Sequence, residues 1–222
     1  MTTNDNFFKF EQTSIEILKQ QWTKLTNQYE VSQELSEKYF QIILDKYSEK
    51  KRFYHNLTHI QALLNNAEKL KTYFQDYGTV RFAIWFHDII YNTKRSNNEE
   101  KSAELAVEAL EEMQIPNSTI QLVEKMIIAT KTHNASDLAE DGKIFLDLDL
   151  GILATSPEIY QAYHQAIRKE YSWVPWFLYK RSRKSVLRNF LAREHIFFTS
   201  ELAKLESIAR ENITQEIELL SK

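Results

Sequence analysis

The sequence predicts an all-α protein, and three observations carry that reading. Only three Gly and three Pro punctuate 222 residues, so long stretches run without a helix breaker. Apolar residues recur at spacings of three and four through most of the chain, the period of an amphipathic helix. A hydrophobic content of 43% suffices for one sizeable core, and an aromatic content of 13% argues against disorder. No internal repeat, low-complexity stretch or composition shift divides residues 1–222. The expectation is a single helical bundle with additional N- and C-terminal helices.

The elements follow in order. Ile15, Leu18, Trp22 and Leu25 form a first helical stripe. "SQELSEKYFQIILDKYSE" opens on Ser32 and continues through Leu35, Tyr39, Ile42 and Ile43, a second helix with a capping residue at its start. A third begins near Asn56 or Thr58 and carries Ile60, Leu63, Leu64, Ala67 and Leu70. "VRFAIWFHDIIY" (80–91) is nearly all apolar and reads as a buried helix, with a strand as the competing reading. Asn97 to Met113 is another helix, and Pro116 opens the next, which runs to about Thr130. "KIFLDLDLGILA" alternates apolar residues with Asp, so a strand and a one-sided helix both fit. Three more helices lie near 157–171, 176–194 and 199–220.

Composition excludes several classes of function. The formal net charge of −3 gives no global basic excess for nucleic acid or an anionic membrane. There are no cysteines, so disulfides and thiolate metal sites are ruled out. A metal would sit on His, Asp, Glu or water, which suits Zn, Mn, Fe, Mg, Ni or Co. "MTTNDNFFKF" lacks a basic segment followed by an apolar one, so no signal peptide is expected. No run of about 18 apolar residues is present to span a bilayer. The expected address is the cytoplasm.

Six histidines are present, and "FYHNLTHIQ" spends two of them, His55 and His59, four residues apart. If helix has begun by His55, both project from one face. His87 and Asp88 sit in an otherwise apolar run, where an ionised carboxylate is costly unless paired or bound to a cation. Asp147 and Asp149 repeat the problem in "FLDLDLGIL". A divalent cation held by His59, His87, Asp88 and one of these aspartates explains all three anomalies and leaves open positions for water.

The order His…His-Asp…Asp resembles the HD superfamily of metal-dependent phosphohydrolases. "YHNLTH" also resembles the YHNxxH motif of cyclic-nucleotide phosphodiesterases. "YHNLTHI", "WFHDIIY", "NNEEKSA", "ATKTH", "LDLDLGIL", "IRKEY" and "FLAREHIF…E…ARENI" together look like a bacterial family of small predicted HD phosphohydrolases, over about residues 20 to 218. The resemblance implies a single HD-type domain over 1–222, with core motifs at about 53–150 and a C-terminal helical extension at about 157–220. It implies metal ligands at His59, His87, Asp88 and Asp149, with Asp147 beside them or toward substrate. It gives His55 the role of general acid toward a leaving alkoxide, suited to its near-neutral pKa. Lys131 or His133 would stabilise phosphoryl charge.

One departure from the pattern matters. Binuclear relatives carry two histidines between the doublet and the last Asp, and here that interval holds only His133. The site then reads as mononuclear, or as binuclear with Asp88 bridging and waters, His133 or Glu99 completing the second position. The implied activity is metal-assisted hydrolysis of a small phosphate ester, a nucleotide among the candidates. Two alternatives stay open: a non-catalytic metal- and nucleotide-binding regulatory module, and a di-iron oxygenase, which the missing histidine disfavours. Arg181, Lys184 and Arg188 share one helical face, read as solvated rather than as a polyanion receiver. His164 and His195 match no ligand spacing. "SWVPWFLY" reads as core in preference to a partner or homodimer surface.

Overall fold

In a computed structural model the chain is described over residues 14–222. "MTTNDNFFKF", the stretch read for a targeting signal, lies outside the described residues. The described residues form eleven α-helices and no strand, as the scarcity of breakers predicts. No described helix is long and apolar enough to cross a membrane.

Helix α1 (Ile15–Asn27) starts where the Ser14 hydroxyl accepts from the Ile17 amide, and α2 (Gln33–Tyr47) where Ser32 accepts from Leu35. Such caps satisfy amides that the first helical turn leaves without a partner. α3 (Leu57–Lys69) is capped by Asn56, whose side chain accepts from the Thr58 amide. His55 therefore stands in the turn ahead of α3. The expectation of two histidines on one helical face is corrected: Asn56 takes the extended backbone of a capping residue, so no helix reaches His55.

α4 (Tyr77–Phe86) is the buried centre, with every residue from Thr79 to Phe86 buried. Helix prevails over strand here because a strand would need partners on both edges, whereas this segment closes its own hydrogen bonds and packs on all sides. It ends at Phe86, so His87 and Asp88 occupy the turn after α4 rather than a helix running to Tyr91. Trp22 of α1 meets Phe82, Trp85 and Phe86 edge-on, at centroid distances of 6.1, 5.6 and 6.1 Å. Each such pair adds about 0.5–1.5 kcal/mol beyond area burial.

α5 (Asn98–Glu112) and α6 (Asn117–Thr130) pack against each other, and α6 against α4. α7 (Glu140–Asp149) continues as a 3₁₀ segment, Leu150–Ala154. The strand alternative for "KIFLDLDLGILA" fails because alternation needs one wet face. Ile144, Phe145, Leu146, Asp147 and Leu148 are all buried.

Of the three helices expected in the tail, two are adjusted. α8 (Pro157–Glu170) matches, α9 (Trp176–Leu191) ends three residues early, and the last helix is broken into α10 (Ser200–Ala203) and α11 (Glu206–Leu219). The tail is bound to the core by polar ties. The Asn212 side chain donates to the carbonyls of Leu153 and Thr155, each at 2.9 Å. Arg183 and Glu216 form a largely buried ion pair at 2.8 Å. One hydrophobic cluster reaches from Leu18 to Leu220. "SWVPWFLY" is not the core segment expected: Trp173, Trp176, Phe177 and Leu178 are exposed, and only Tyr179 is buried.

Candidate metal centre

Three helix ends meet at one point. His59 comes from the first turns of α3, His87 from the end of α4, and Asp149 is the last residue of α7. Their ligand atoms lie within 4.8 Å of one another, and the cluster could hold a metal ion. His59 Nε2 is 3.2 Å from His87 Nε2, and Asp149 Oδ1 is 3.3 and 3.6 Å from these two nitrogens. Asp88 adds Oδ2 at 3.1 Å from His87 Nε2 and 3.8 Å from His59 Nε2. Both histidines are buried.

The donor set fits a divalent cation. Ligand atoms about 2.1 Å from one ion stand about 3 Å apart when they subtend a right angle, close to the separations seen here. Two neutral imidazoles and two carboxylates carry two negative charges, which a divalent ion balances. His87 Nδ1 lies 2.9 Å from the Ile84 carbonyl, so that nitrogen must donate. The neutral ring then presents its Nε2 lone pair to the cluster, the usual way an outer hydrogen bond orients a ligating histidine.

Electrostatics follow from the geometry. Burial lowers His59 below its ordinary pKa despite the opposing pull of Asp149. Burial acts the same way on His87, but Asp88 and Asp149 outweigh it and raise the group well above its usual value. Burial alone would raise both carboxylates. His87 and His55 hold Asp88 below the usual carboxylate range, and His133, His59 and His87 hold Asp149 well below it. The imidazoles and carboxylates of the cluster thus lie in strong mutual interaction.

His55 lies beside this array in a different setting. Its Nδ1 is 2.8 Å from Glu170 Oε2, the last residue of α8. Oε1 of Glu170 accepts from the amides of Phe53, Tyr54 and His55 at 2.8, 2.7 and 3.1 Å, and Oε2 also accepts from the Tyr91 hydroxyl at 2.9 Å. Tyr91 stacks on the His55 ring at 4.2 Å. Burial lowers the His55 pKa, and Asp88 and Glu170 overcome it, so the net shift is upward. Arg52 fastens this turn to the doublet, donating to the carbonyls of His55, Asp88 and Ile89 at 3.1, 2.6 and 2.7 Å.

A cavity of about 720 Å³ opens over the cluster, lined by His55, Asp88, His133 and Asp149 together with Lys131 and Arg193. His133 Nε2 is 3.0 Å from Asp149 Oδ2. Its φ of 45° puts a non-glycine residue in the left-handed region, at a cost of roughly 1–2 kcal/mol. Arg193 holds that conformation by donating to the carbonyls of His133 and Thr132 at 3.0 and 2.7 Å. Lys131 pairs with Glu100 at the cavity wall.

Of the residues singled out in the sequence, His55, His59, His87, Asp88, Lys131, His133 and Asp149 come together. Asp147 does not. It is fully buried, and its carboxylate accepts from the amides of Phe198 and Thr199 and from the Thr199 hydroxyl, at 2.7, 2.8 and 2.6 Å. The substrate-side role expected for Asp147 is corrected: positions two apart on a helix point to nearly opposite sides, so α7 turns Asp149 to the cluster and Asp147 to the tail, which it ties down. Glu99 lines the cavity, whereas Ser102 braces the backbone of Ile90. His164 packs beside Tyr160, and His195 is exposed.

Sequence reasoning gave no role to Glu170, Arg193 or Arg52. "IRKEY" and "FLAREHIF" contain two of them, but a charged residue near a helix end looks like a solvated one until its partners are known. Comparisons with protein-family models, curated proteins and solved structures return no match.

Proposed function

We propose that the chain is a metal-dependent phosphohydrolase of HD type, acting on a small phosphate ester. The observation that carries the reading is the pairing of two arrays under one cavity. One is the His59, His87, Asp88 and Asp149 cluster, and the other is His55 held by Glu170. A purely structural cage gives no reason for the second array, which favours catalysis over a regulatory module.

His59, His87, Asp88 and Asp149 would hold the cation. When bound, such an ion polarises a phosphoryl oxygen and acidifies water, supplying a nucleophile at neutral pH. The protein residues do the rest. Glu170 accepts from His55 Nδ1, which fixes the tautomer and favours the protonated ring. His55 Nε2 makes no hydrogen bond among the described residues, and the residue lines the cavity. That nitrogen donates its proton to the departing alkoxide as the ester bond to phosphorus breaks, and Glu170 keeps the imidazolium in place beforehand. Lys131 and His133 stand at the same wall and offset charge developing on the phosphoryl oxygens. The metal identity is one of Mn, Ni, Co, Zn, Fe or Mg.

The test is protein purified without chelator and assayed on alkyl and nitrophenyl phosphate mono- and diesters with Mn, Co, Ni and Mg. Turnover with at least one metal is expected. His55→Ala should keep the metal and lose roughly 10²–10⁴-fold on alkyl esters, and much less on nitrophenyl esters, whose leaving group needs little protonation. Absence of turnover across the panel, or equal loss on both ester types, would overturn the reading.

A further inference from the structure

The outer face of α9 is unlike the rest of the surface. Residues 168–193 hold eight Lys and Arg against the single acid Glu170, which is buried. The remainder of the chain holds twenty Lys and Arg against thirty Asp and Glu. A chain-wide charge of −3 conceals this separation. Phe177, Arg181, Lys184 and Arg188 follow each other at intervals of four, three and four, which lines them along one face of the helix. No described acidic side chain pairs with Arg181, Lys184 or Arg188. At the N-terminal end of this stripe Trp173, Trp176, Phe177 and Leu178 are exposed, Phe177 to 69%.

We propose that this face binds the surface of an anionic lipid bilayer. Exposed aromatic and aliphatic side chains beside a basic helical stripe are what an interfacial anchor requires: rings enter the headgroup layer while cations meet lipid phosphates. The charge separation supplies complementarity to an anionic surface. A single-stranded nucleic acid would use the same cations, but it also needs open ring faces for base stacking. The two indoles, the broadest of these rings, are already engaged, and Phe177 alone is a small platform. Trp176 lies parallel to Tyr179 at 5.8 Å, with Arg168 and Lys180 at 5.3 and 5.7 Å from its centroid. Lys94 sits 5.5 Å from the Trp173 centroid, and the Trp173 indole N–H donates to Thr93. The inner face of α9 lines the cavity through Ser182, Val186 and Asn189, so a bilayer on the outer face leaves the cavity wall free. The proposal does not depend on the hydrolase reading.

The experiment is co-sedimentation of the full chain with phosphatidylcholine vesicles, with and without phosphatidylglycerol, while tryptophan emission is recorded. Binding is expected on the anionic vesicles alone, with a blue shift from Trp173 and Trp176, and should fade between about 0.1 and 1 M salt as the Debye length shrinks. Lys184→Ala should weaken partitioning about five-fold, and Phe177→Ser about tenfold or more. His55→Ala should bind as the parent does. Three results would overturn the proposal: no sedimentation with anionic vesicles at low salt, binding indifferent to both surface substitutions, or capture of a single-stranded oligonucleotide or a second copy of the chain by this face with vesicles ignored.

Discussion

Replacing Glu170 by Gln isolates the group that holds His55. In the parent, Oε1 accepts three backbone amides and Oε2 accepts from Tyr91 and His55. A glutamine can keep its oxygen toward the amides, which turns its NH₂ toward His55 Nδ1. That nitrogen must then accept, and the protonated ring loses its charged partner. A hydrogen bond to a charged group contributes about 1.5–3 kcal/mol. Loss of that contact should lower the His55 pKa from its raised position. Stability should follow with a defined sign. His55 is raised from 6.5, so its contribution is whole below that value and fades as pH rises through the raised one. Glu170 experiences burial that would raise it, yet the His55 contact holds it below 4.5. Its contribution is whole above that value and fades as pH falls through the depressed one. The variant should therefore lose most stability relative to the parent between pH 4.5 and 6.5, and less at pH 9. Histidine NMR titration reads the pKa, and denaturant unfolding at several pH values reads the stability. An unshifted His55 titration, with a stability loss independent of pH, would refute the reasoning.

Two further outcomes concern the frame. Asp147→Asn should lower stability by about 1–3 kcal/mol, because one amide or hydroxyl donor loses its acceptor in the interior, yet leave metal content at the parent level; loss of the metal would return Asp147 to the cluster. Trp22→Ala removes a fully buried ring and its three edge contacts, so urea unfolding should show a loss of about 3–5 kcal/mol, and a loss under about 1 kcal/mol would contradict the packing.

The helical frame was legible because period and breakers are local properties. Leu18, Trp22 and Leu25 announce their burial by spacing alone. Legibility fell where tertiary contacts decide. Residues 80–86 and 144–148 are buried on several sides, so periodicity could not separate helix from strand. The spacing of His55 and His59 suggested one helical face, but Asn56 caps α3 between them and a turn brings the rings within 6.1 Å of each other. The resemblance separated Asp149 from Asp147, but the role of Asp147 became readable only with its acceptance from Phe198 and Thr199, 51 and 52 residues away. Glu170 lies 115 residues from His55, a pairing that no local pattern encodes. The exposed Trp173 and Trp176 went against expectation because apolar runs usually mark core.

The central claim is that His59, His87, Asp88 and Asp149 form one cation site, and metal content tests it most directly. The parent purified without chelator, and Asp149→Asn prepared beside it, should be compared by elemental analysis and by calorimetric titration with Mn, Co, Ni, Zn, Fe and Mg. The account predicts about one divalent ion per parent chain and, for the variant, at least a tenfold weaker affinity, in the range seen when groups around a metal are altered. A parent that binds none of these ions, or a variant that binds as tightly as the parent, would contradict it.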